Sequence, residues 1–159
     1  MRVLLINPFY PISETPYPPL GLAFLAAALE AAGVEVKILD LVVYPYSRRI
    51  LESLLKDFKP QMVGITAVTM TFDNAIGVIK DVRRIDPEIQ TVMGGPHVTF
   101  CAQDTLEDYP ELDVIVLGEG EKTIVELVQA AKGKYRWDDI NGIVYRETRR
   151  ISQCISFFS

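Results

Sequence analysis

The sequence predicts an α/β fold: a flavodoxin-like (Rossmann-like), doubly wound sheet of five parallel strands in the order 2-1-3-4-5. Three observations predict it. Five short runs rich in Val, Ile and Leu alternate with stretches of helical apolar spacing. Several of these runs are apolar throughout, as expected of strands covered by helices on both faces. Their spacing suits right-handed βαβ units. In such a sheet ligands sit outside the carboxyl ends of the strands, at the switch point between strands 1 and 3. A short C-terminal β-hairpin or edge strand is expected to follow.

Strands are expected at residues 2–6, 35–39, 62–66, 89–93 and 113–117, with helices at 21–32, 47–58, 72–85, 102–109 and 119–131. Pro18-Pro19 stands where a helix begins, because proline has no amide hydrogen to leave unpaired in the first turn. Ala23, Ala26, Ala27, Ala28, Ala31 and Ala32 make the first helix thin enough to lie close to the sheet. Gly33, Pro60 and Pro87 follow the first three helices as stop signals. From Lys132 the pattern changes. Residues 133–139 are polar around the one tryptophan, Trp137, and 140–146 with 150–152 read as a hairpin or an added edge strand. Residues 1–131 are therefore expected to form the α/β domain and 132–159 a C-terminal hairpin and linker. Phe157 and Phe158 either fold back on the domain or pack against a part of a longer polypeptide.

At 159 residues the chain is long enough for one domain with a full core. Its formal net charge of −5 offers no electrostatic case for nucleic acid or an anionic membrane surface. The first apolar run, Val3 to Ile6, is too short for a signal peptide or a membrane span. Cys101 and Cys154 form neither a disulfide framework nor a C-x-x-C pair, so a cytoplasmic location is expected. His97 is the only imidazole, which excludes a histidine-rich metal site. No serine or cysteine stands in a G-x-S-x-G elbow, so a nucleophilic triad is unsupported.

The most informative stretch is Gly94-Gly95-Pro96-His97-Val98-Thr99. Two adjacent glycines at the end of a buried strand remove side chains where the backbone turns or where a ligand lies against it. Three other strand-end loops reach the same rim. Loop 1, residues 7–21, holds five prolines and is long for such a fold, where about 2–6 residues is usual. Its Phe9, Tyr10 and Tyr17 form either a wall against a large flat ligand or a cover over strand ends. After strand 3, Thr66 and Thr69 place hydroxyls suited to bonding a ligand or to capping the next helix, with Asp73 as another cap. After strand 5, Gly118-Glu119-Gly120 lacks the third glycine of a dinucleotide loop and follows the wrong strand, so a nicotinamide cofactor is not expected. Two glycines there still let a ligand approach the backbone, and Glu119 and Glu121 suit the positive end of the following helix. Cys101 reads either as a partner of His97 or as a small buried hydrophobe.

Six ordered pieces then carry a resemblance: Leu4-Leu5-Ile6-Asn7-Pro8; Pro18-Pro19-Leu20-Gly21-Leu22-Ala23; Val63-Gly64-Ile65-Thr66; Gly94-Gly95-Pro96-His97-Val98-Thr99; Val116-Leu117-Gly118-Glu119-Gly120-Glu121; and Ile140-Asn141-Gly142-Ile143-Val144-Tyr145. Together they resemble the N-terminal cobalamin-binding domain of cobalamin-dependent radical S-adenosylmethionine enzymes, which include methyltransferases and anaerobic magnesium-protoporphyrin monomethyl ester cyclases. The resemblance covers residues 2–146. Of the three signatures of the wider cobalamin-binding fold, Thr66-Ala67-Val68 stands for S-x-L and Gly94-Gly95 for the glycine pair. The D-x-H-x-x-G signature is absent: with Gly21 as its glycine, Pro18 occupies the place of the cobalt-ligating histidine.

The resemblance implies cobalamin bound base-off, with no protein ligand to cobalt. It implies a cofactor-contacting set of Tyr17, Pro18, Leu20 and Gly21 from loop 1, and Thr66, Val68 and Thr69 after strand 3. Gly94, Gly95, Pro96, His97 and Thr99 after strand 4 and Gly118, Glu119, Gly120 and Thr123 after strand 5 complete it. The dimethylbenzimidazole tail would pass between the strand ends beside Thr66, Gly94, Gly95 and Gly118. The parent enzyme would also hold a [4Fe–4S] cluster and S-adenosylmethionine in a C-terminal radical S-adenosylmethionine barrel. Cys101 and Cys154 cannot supply the C-x-x-x-C-x-x-C run, so this chain is read as an isolated cofactor domain without catalytic residues of its own. Methyl transfer or a related radical reaction is the implied parent activity. The alternative is a flavodoxin-like interaction or signalling domain without a cofactor. Its receiver version fails, because Asn7-Pro8 and Thr66 stand where the acidic cluster and phosphoacceptor aspartate belong. A flavin or nucleotide binder would need backbone donors that the prolines of loop 1 deny.

Overall fold

The computed structural model describes residues 1–10, 18–134, 136–147 and 150–154. Tyr17 and the prolines Pro11 and Pro16 of loop 1, like Phe157 and Phe158, lie outside the described residues. The elements are β1 (Arg2–Asn7), α1 (Leu20–Ala31), β2 (Glu35–Asp40), α2 (Arg48–Phe58), β3 (Met62–Thr66), α3 (Phe72–Ile85) and β4 (Gln90–Gly94). They continue with α4 (Pro96–Phe100), α5 (Ala102–Asp108), β5 (Val114–Val116), α6 (Glu121–Ala131), β6 (Ile143–Glu147) and β7 (Arg150–Cys154). The described strands make one sheet in the order β2-β1-β3-β4-β5-β6-β7. The first five positions are parallel and follow the expected flavodoxin-like order. β6 runs antiparallel to β5, and β7 antiparallel to β6.

Alternation of side chains across the pleat divides the core in two. On one face Leu4, Ile6, Val63, Ile65, Met93 and Ile115 pack under the buried residues of α2 and α3. On the other, Val3, Leu5, Met62, Val92, Val114 and Val116 pack under Leu22 and Leu29 of α1 and Ile124, Leu127 and Val128 of α6. Every residue from Val3 to Ile6 is buried, which accounts for the unbroken apolar run in the sequence. The C-terminal hairpin extends this second face, since Ile143 and Tyr145 bury their side chains in the same cluster as Val116.

Two local departures bear on the site. The run before the fifth helix contains an additional turn of helix, α4, with Pro96 in its first turn. The last long helix begins at Glu121, because Gly118 and Gly120 are used to turn the chain over the end of β5. Pro60 follows the second helix as expected, with Lys59 before it in the left-handed conformation at φ 50°. Among the described residues no helix is long and apolar enough to cross a membrane.

Candidate functional site

Strand register assembles the site. In the parallel β1–β3–β4 ladder Leu5 stands beside Gly64, and Gly64 beside Val92; one step nearer the carboxyl end, Thr66 stands beside Gly94. These residues share the face covered by α1 and α6. Neither glycine carries a side chain to fill the space between sheet and helices, and a groove of about 580 Å³ opens there. Gly21, Leu22 and Leu25 of α1 form one wall and Ile124 of α6 another, while Pro19, Pro96, Thr99, Phe100, Glu119 and Gly120 edge the mouth. The volume falls within the range of about 300–1,000 Å³ typical of small-molecule sites.

The two adjacent glycines do different work. A Cβ placed on Gly94 would find its nearest neighbour, the carbonyl oxygen of Val116, 3.8 Å away. The space beside Gly94 is therefore groove, not protein. Gly95 has φ +106°, and a Cβ there would lie 2.6 Å from the Ala67 carbonyl oxygen and 2.9 Å from both Ala67 N and Thr66 Oγ1. Its glycine is a demand of the backbone. The turn is pinned by Ala67 N–H donating to Gly94 O at 2.9 Å and His97 N–H donating to Ala67 O at 3.2 Å. Gly64 forms the floor: a Cβ there would meet Leu5 Cδ2 at 3.0 Å.

Polar groups sit toward the mouth. Thr99 Oγ1 donates to Gly95 O at 3.0 Å and accepts from Gly118 N at 3.3 Å, tying the loops after β4 and β5 together. Asn7 Nδ2 is engaged with Asp40 Oδ1 at 2.9 Å. Thr66 Oγ1 has no hydrogen-bond partner among the described residues. The ionisable side chains on the lining are carboxylates, Glu119 and Glu121, with no lysine or arginine among the described lining residues. A polyphosphate would find no counter-charge here. Glu121 lies in the first turn of α6, where a negative charge favours the helix.

The structure brings together Gly21, Thr66, Gly94, Gly95, Pro96, Thr99, Gly118, Glu119 and Gly120 of the sequence-predicted set. Pro18 and Leu20 lie at the surface beside the mouth. Val68 is half-exposed, and its N–H donates to Thr71 Oγ1 at 3.1 Å. Thr69 and His97 hold each other, with His97 Nδ1 and Thr69 Oγ1 3.2 Å apart. The His97 ring packs on Phe72 of α3, 4.3 Å between centroids, and is not part of the lining. Thr123 is buried facing Gly142. Cys101 Sγ donates to His97 O at 3.2 Å.

Sequence reasoning missed the apolar lining: Leu5, Leu22, Leu25, Val92, Val116 and Ile124. It also missed Phe100, 90% exposed at the mouth. A signal existed for Leu5 and Val92, since both fall in step with Gly64 once the three strands are aligned. None existed for the helix residues.

The family model of the B12 binding domain matches residues 13–128. An uncharacterized methyltransferase of Pyrococcus horikoshii is 36% identical over 156 residues, covering 95% of this chain and 34% of that protein. The anaerobic magnesium-protoporphyrin IX monomethyl ester cyclase of Rubrivivax gelatinosus is 35% identical over 153 residues, covering 91% of this chain and 28% of that protein. Among solved structures, the radical S-adenosylmethionine methyltransferase TsrM of Kitasatospora setae, with tryptophan and a S-adenosylmethionine analogue bound, superposes with a TM-score of 0.84 at 25% identity, covering 97% of this chain and 30% of that one. The same enzyme with cobalamin and a [4Fe–4S] cluster bound gives a TM-score of 0.78 at 26% identity, over 97% and 30% of the two chains. This chain spans about a third of the length of the relatives it matches.

Proposed function

The chain belongs to the B12 binding domain family, and from that premise we propose that the groove takes up cobalamin in its base-off form, with the nucleotide arm between the sheet and helices α1 and α6. One observation carries the reading: Gly64 and Gly94 leave a slot free of their own side chains on two neighbouring strands, with the Thr66 hydroxyl beside it, unpartnered among the described residues. A slender arm ending in a flat aromatic base needs that shape. The residues present fit the group, because among the described residues no atom outside the adjoining chain comes nearer than 3.8 Å to a Cβ placed on Gly94.

In this assignment Thr66 would donate to the free ring nitrogen of the base, and Leu5, Leu22, Val92 and Ile124 would enclose its apolar faces. Thr99 holds the loops of β4 and β5 at the spacing that the arm requires. Cobalt would take no ligand from this lining: Pro18, at the place of the ligating histidine, has no side-chain lone pair to give, and the His97 ring lies against Thr69 and Phe72, outside the groove lining. When bound, cobalamin supplies a cobalt ion that accepts and releases a methyl group.

The matched relatives are about three times as long as this chain and include methyltransferases and a cyclase. On that support the chain serves as the cofactor domain of a radical S-adenosylmethionine enzyme performing methyl transfer or related radical chemistry. The [4Fe–4S] cluster, S-adenosylmethionine and the catalytic barrel then belong to polypeptide beyond this chain. Residues 1–131 carry the groove, and the segment that contains β6 and β7 would lead toward that part. The test is visible absorption after mixing the chain with hydroxocobalamin and desalting. Colour retained with a base-off spectrum is the expected result; a colourless eluate overturns the assignment.

A further inference from the structure

We propose that the groove also selects among corrinoids by the base at the end of the nucleotide arm, favouring a benzimidazole over a purine. This rests on the cobalamin reading above and adds to it a reason for discrimination. Among the described lining residues, the inner end of the groove is apolar. Leu5 and Val92 flank Gly64 on the sheet, at 1% and 3% exposure, and Leu22 and Ile124, each at 4%, close over it from the helices. The backbone amides at this depth are consumed by the parallel ladder linking β1, β3 and β4. Among the described lining residues the hydroxyl of Thr66, one row nearer the mouth and beside Gly94, has no hydrogen-bond partner, while the Asn7 amide is tied to Asp40 through Nδ2.

A dimethylbenzimidazole detached from cobalt has one ring nitrogen that asks for a donor, and Thr66 meets it. Its methyl-bearing edge is apolar and suits the floor at Gly64. An adenine in the same place brings an exocyclic amino group and further ring nitrogens. Among the described lining residues, the row of Leu5, Gly64 and Val92 has no side-chain polar group to pair with them. Polar atoms taken out of water without partners weaken binding, here by at least about tenfold. Gly64 sets how far the base can reach, because a methyl group there already presses on Leu5 Cδ2 at 3.0 Å.

The test titrates the chain with cobalamin, with adeninylcobamide and with cobinamide, which has no nucleotide arm, following bound corrinoid by equilibrium dialysis and visible absorption. Cobalamin should bind at least about tenfold more tightly than either of the others. The Gly64→Ala variant should weaken cobalamin several-fold and leave cobinamide unchanged; Leu5 has a flexible end to give way, and circular dichroism verifies the fold. Equal affinity for cobalamin and adeninylcobamide, with cobinamide weaker, overturns the selection while the cofactor assignment stands. Equal affinity for all three, or no effect of Gly64→Ala on cobalamin, overturns the placement of the base. Retention of none of them removes the cofactor assignment and this inference together.

Discussion

The hydroxyl of Thr99 receives the backbone N–H of Gly118 at 3.3 Å, so that the loops following β4 and β5 are held by one side chain. The same hydroxyl donates to Gly95 O at 3.0 Å, within its own loop. Both strand ends edge the groove, and their separation decides how wide it opens.

Replacing Thr99 with valine keeps the shape and removes both bonds. Stability should fall by about 1–3 kcal/mol in urea titration, the net worth of two typical intramolecular hydrogen bonds. Cobalamin retention should fall with it, while Thr99→Ser keeps both. Unchanged retention in a destabilised Thr99→Val protein would show that the clamp does not shape the groove.

The glycine pair separates binding from folding. Gly94→Val adds side-chain atoms where the nearest neighbour of a Cβ is 3.8 Å away, so the protein should fold and fail to retain cobalamin. Gly95→Val forces a branched side chain onto φ +106° and to within 2.6 Å of Ala67 O, which should cost at least about 3 kcal/mol and deplete soluble protein. A melting curve beside a desalting assay distinguishes the two. A Gly94→Val variant that keeps its colour would mean that the arm does not pass that residue.

At the opposite end of the sheet, Arg83 Nη2 meets Asp113 Oδ2 at 2.6 Å and Thr91 Oγ1 at 3.2 Å, and Asp113 Oδ2 also accepts the Thr91 N–H at 2.8 Å. The guanidinium further donates to Glu111 O and Pro87 O. This knot joins α3 to the starts of β4 and β5. Arg83→Met should lower stability by about 1–3 kcal/mol, since it strands partly buried acceptors. Corrinoid affinity per folded molecule should not change, for the knot lies on the α3 side of the sheet, away from the groove, which opens on the face covered by α1 and α6.

Alkaline stability should carry the mark of Tyr145. Burial, and then the Asp138 carboxylate beside it, push this phenol from its ordinary 10 up to about 12. Between about pH 10 and 12 the unfolded chain gives up the proton while the folded chain keeps it, so stability is present below pH 10 and drains away toward pH 12. Tyr46, raised by its own burial and by Asp81, contributes in the same direction. Melting temperatures of wild type and Tyr145→Phe should therefore converge as pH rises through this window. Parallel curves would refute the coupling.

Much of this arrangement was legible in the residues. Unbroken runs such as Val3 to Ile6 announced strands buried on both faces, and Pro60 marked a helix end where the structure has one. Thr66 and Gly94, 28 positions apart in the chain, were recognisable as strand-end residues and prove to be neighbours in the ladder. The apolar lining was not legible. Leu22 and Ile124 have the composition and spacing of ordinary core residues, and nothing local distinguishes a leucine that meets another side chain from one that faces a groove. The position of His97 was not legible either. As the lone imidazole two residues beyond the glycine pair it invited a place at the ligand, yet the short helix α4 turns it toward Thr69 and Phe72.

By itself the sequence determined the order of strands and helices, the rim at which loops gather, and the residue types too small to block it. Those follow from apolar periodicity and backbone preference, which act over a few residues. Only the tertiary structure decided which glycine makes room and which merely turns the chain, and which leucines become a wall. That choice depends on strand register: a shift of one residue sends every side chain to the other face of the sheet, and register is set by partners far away in the chain.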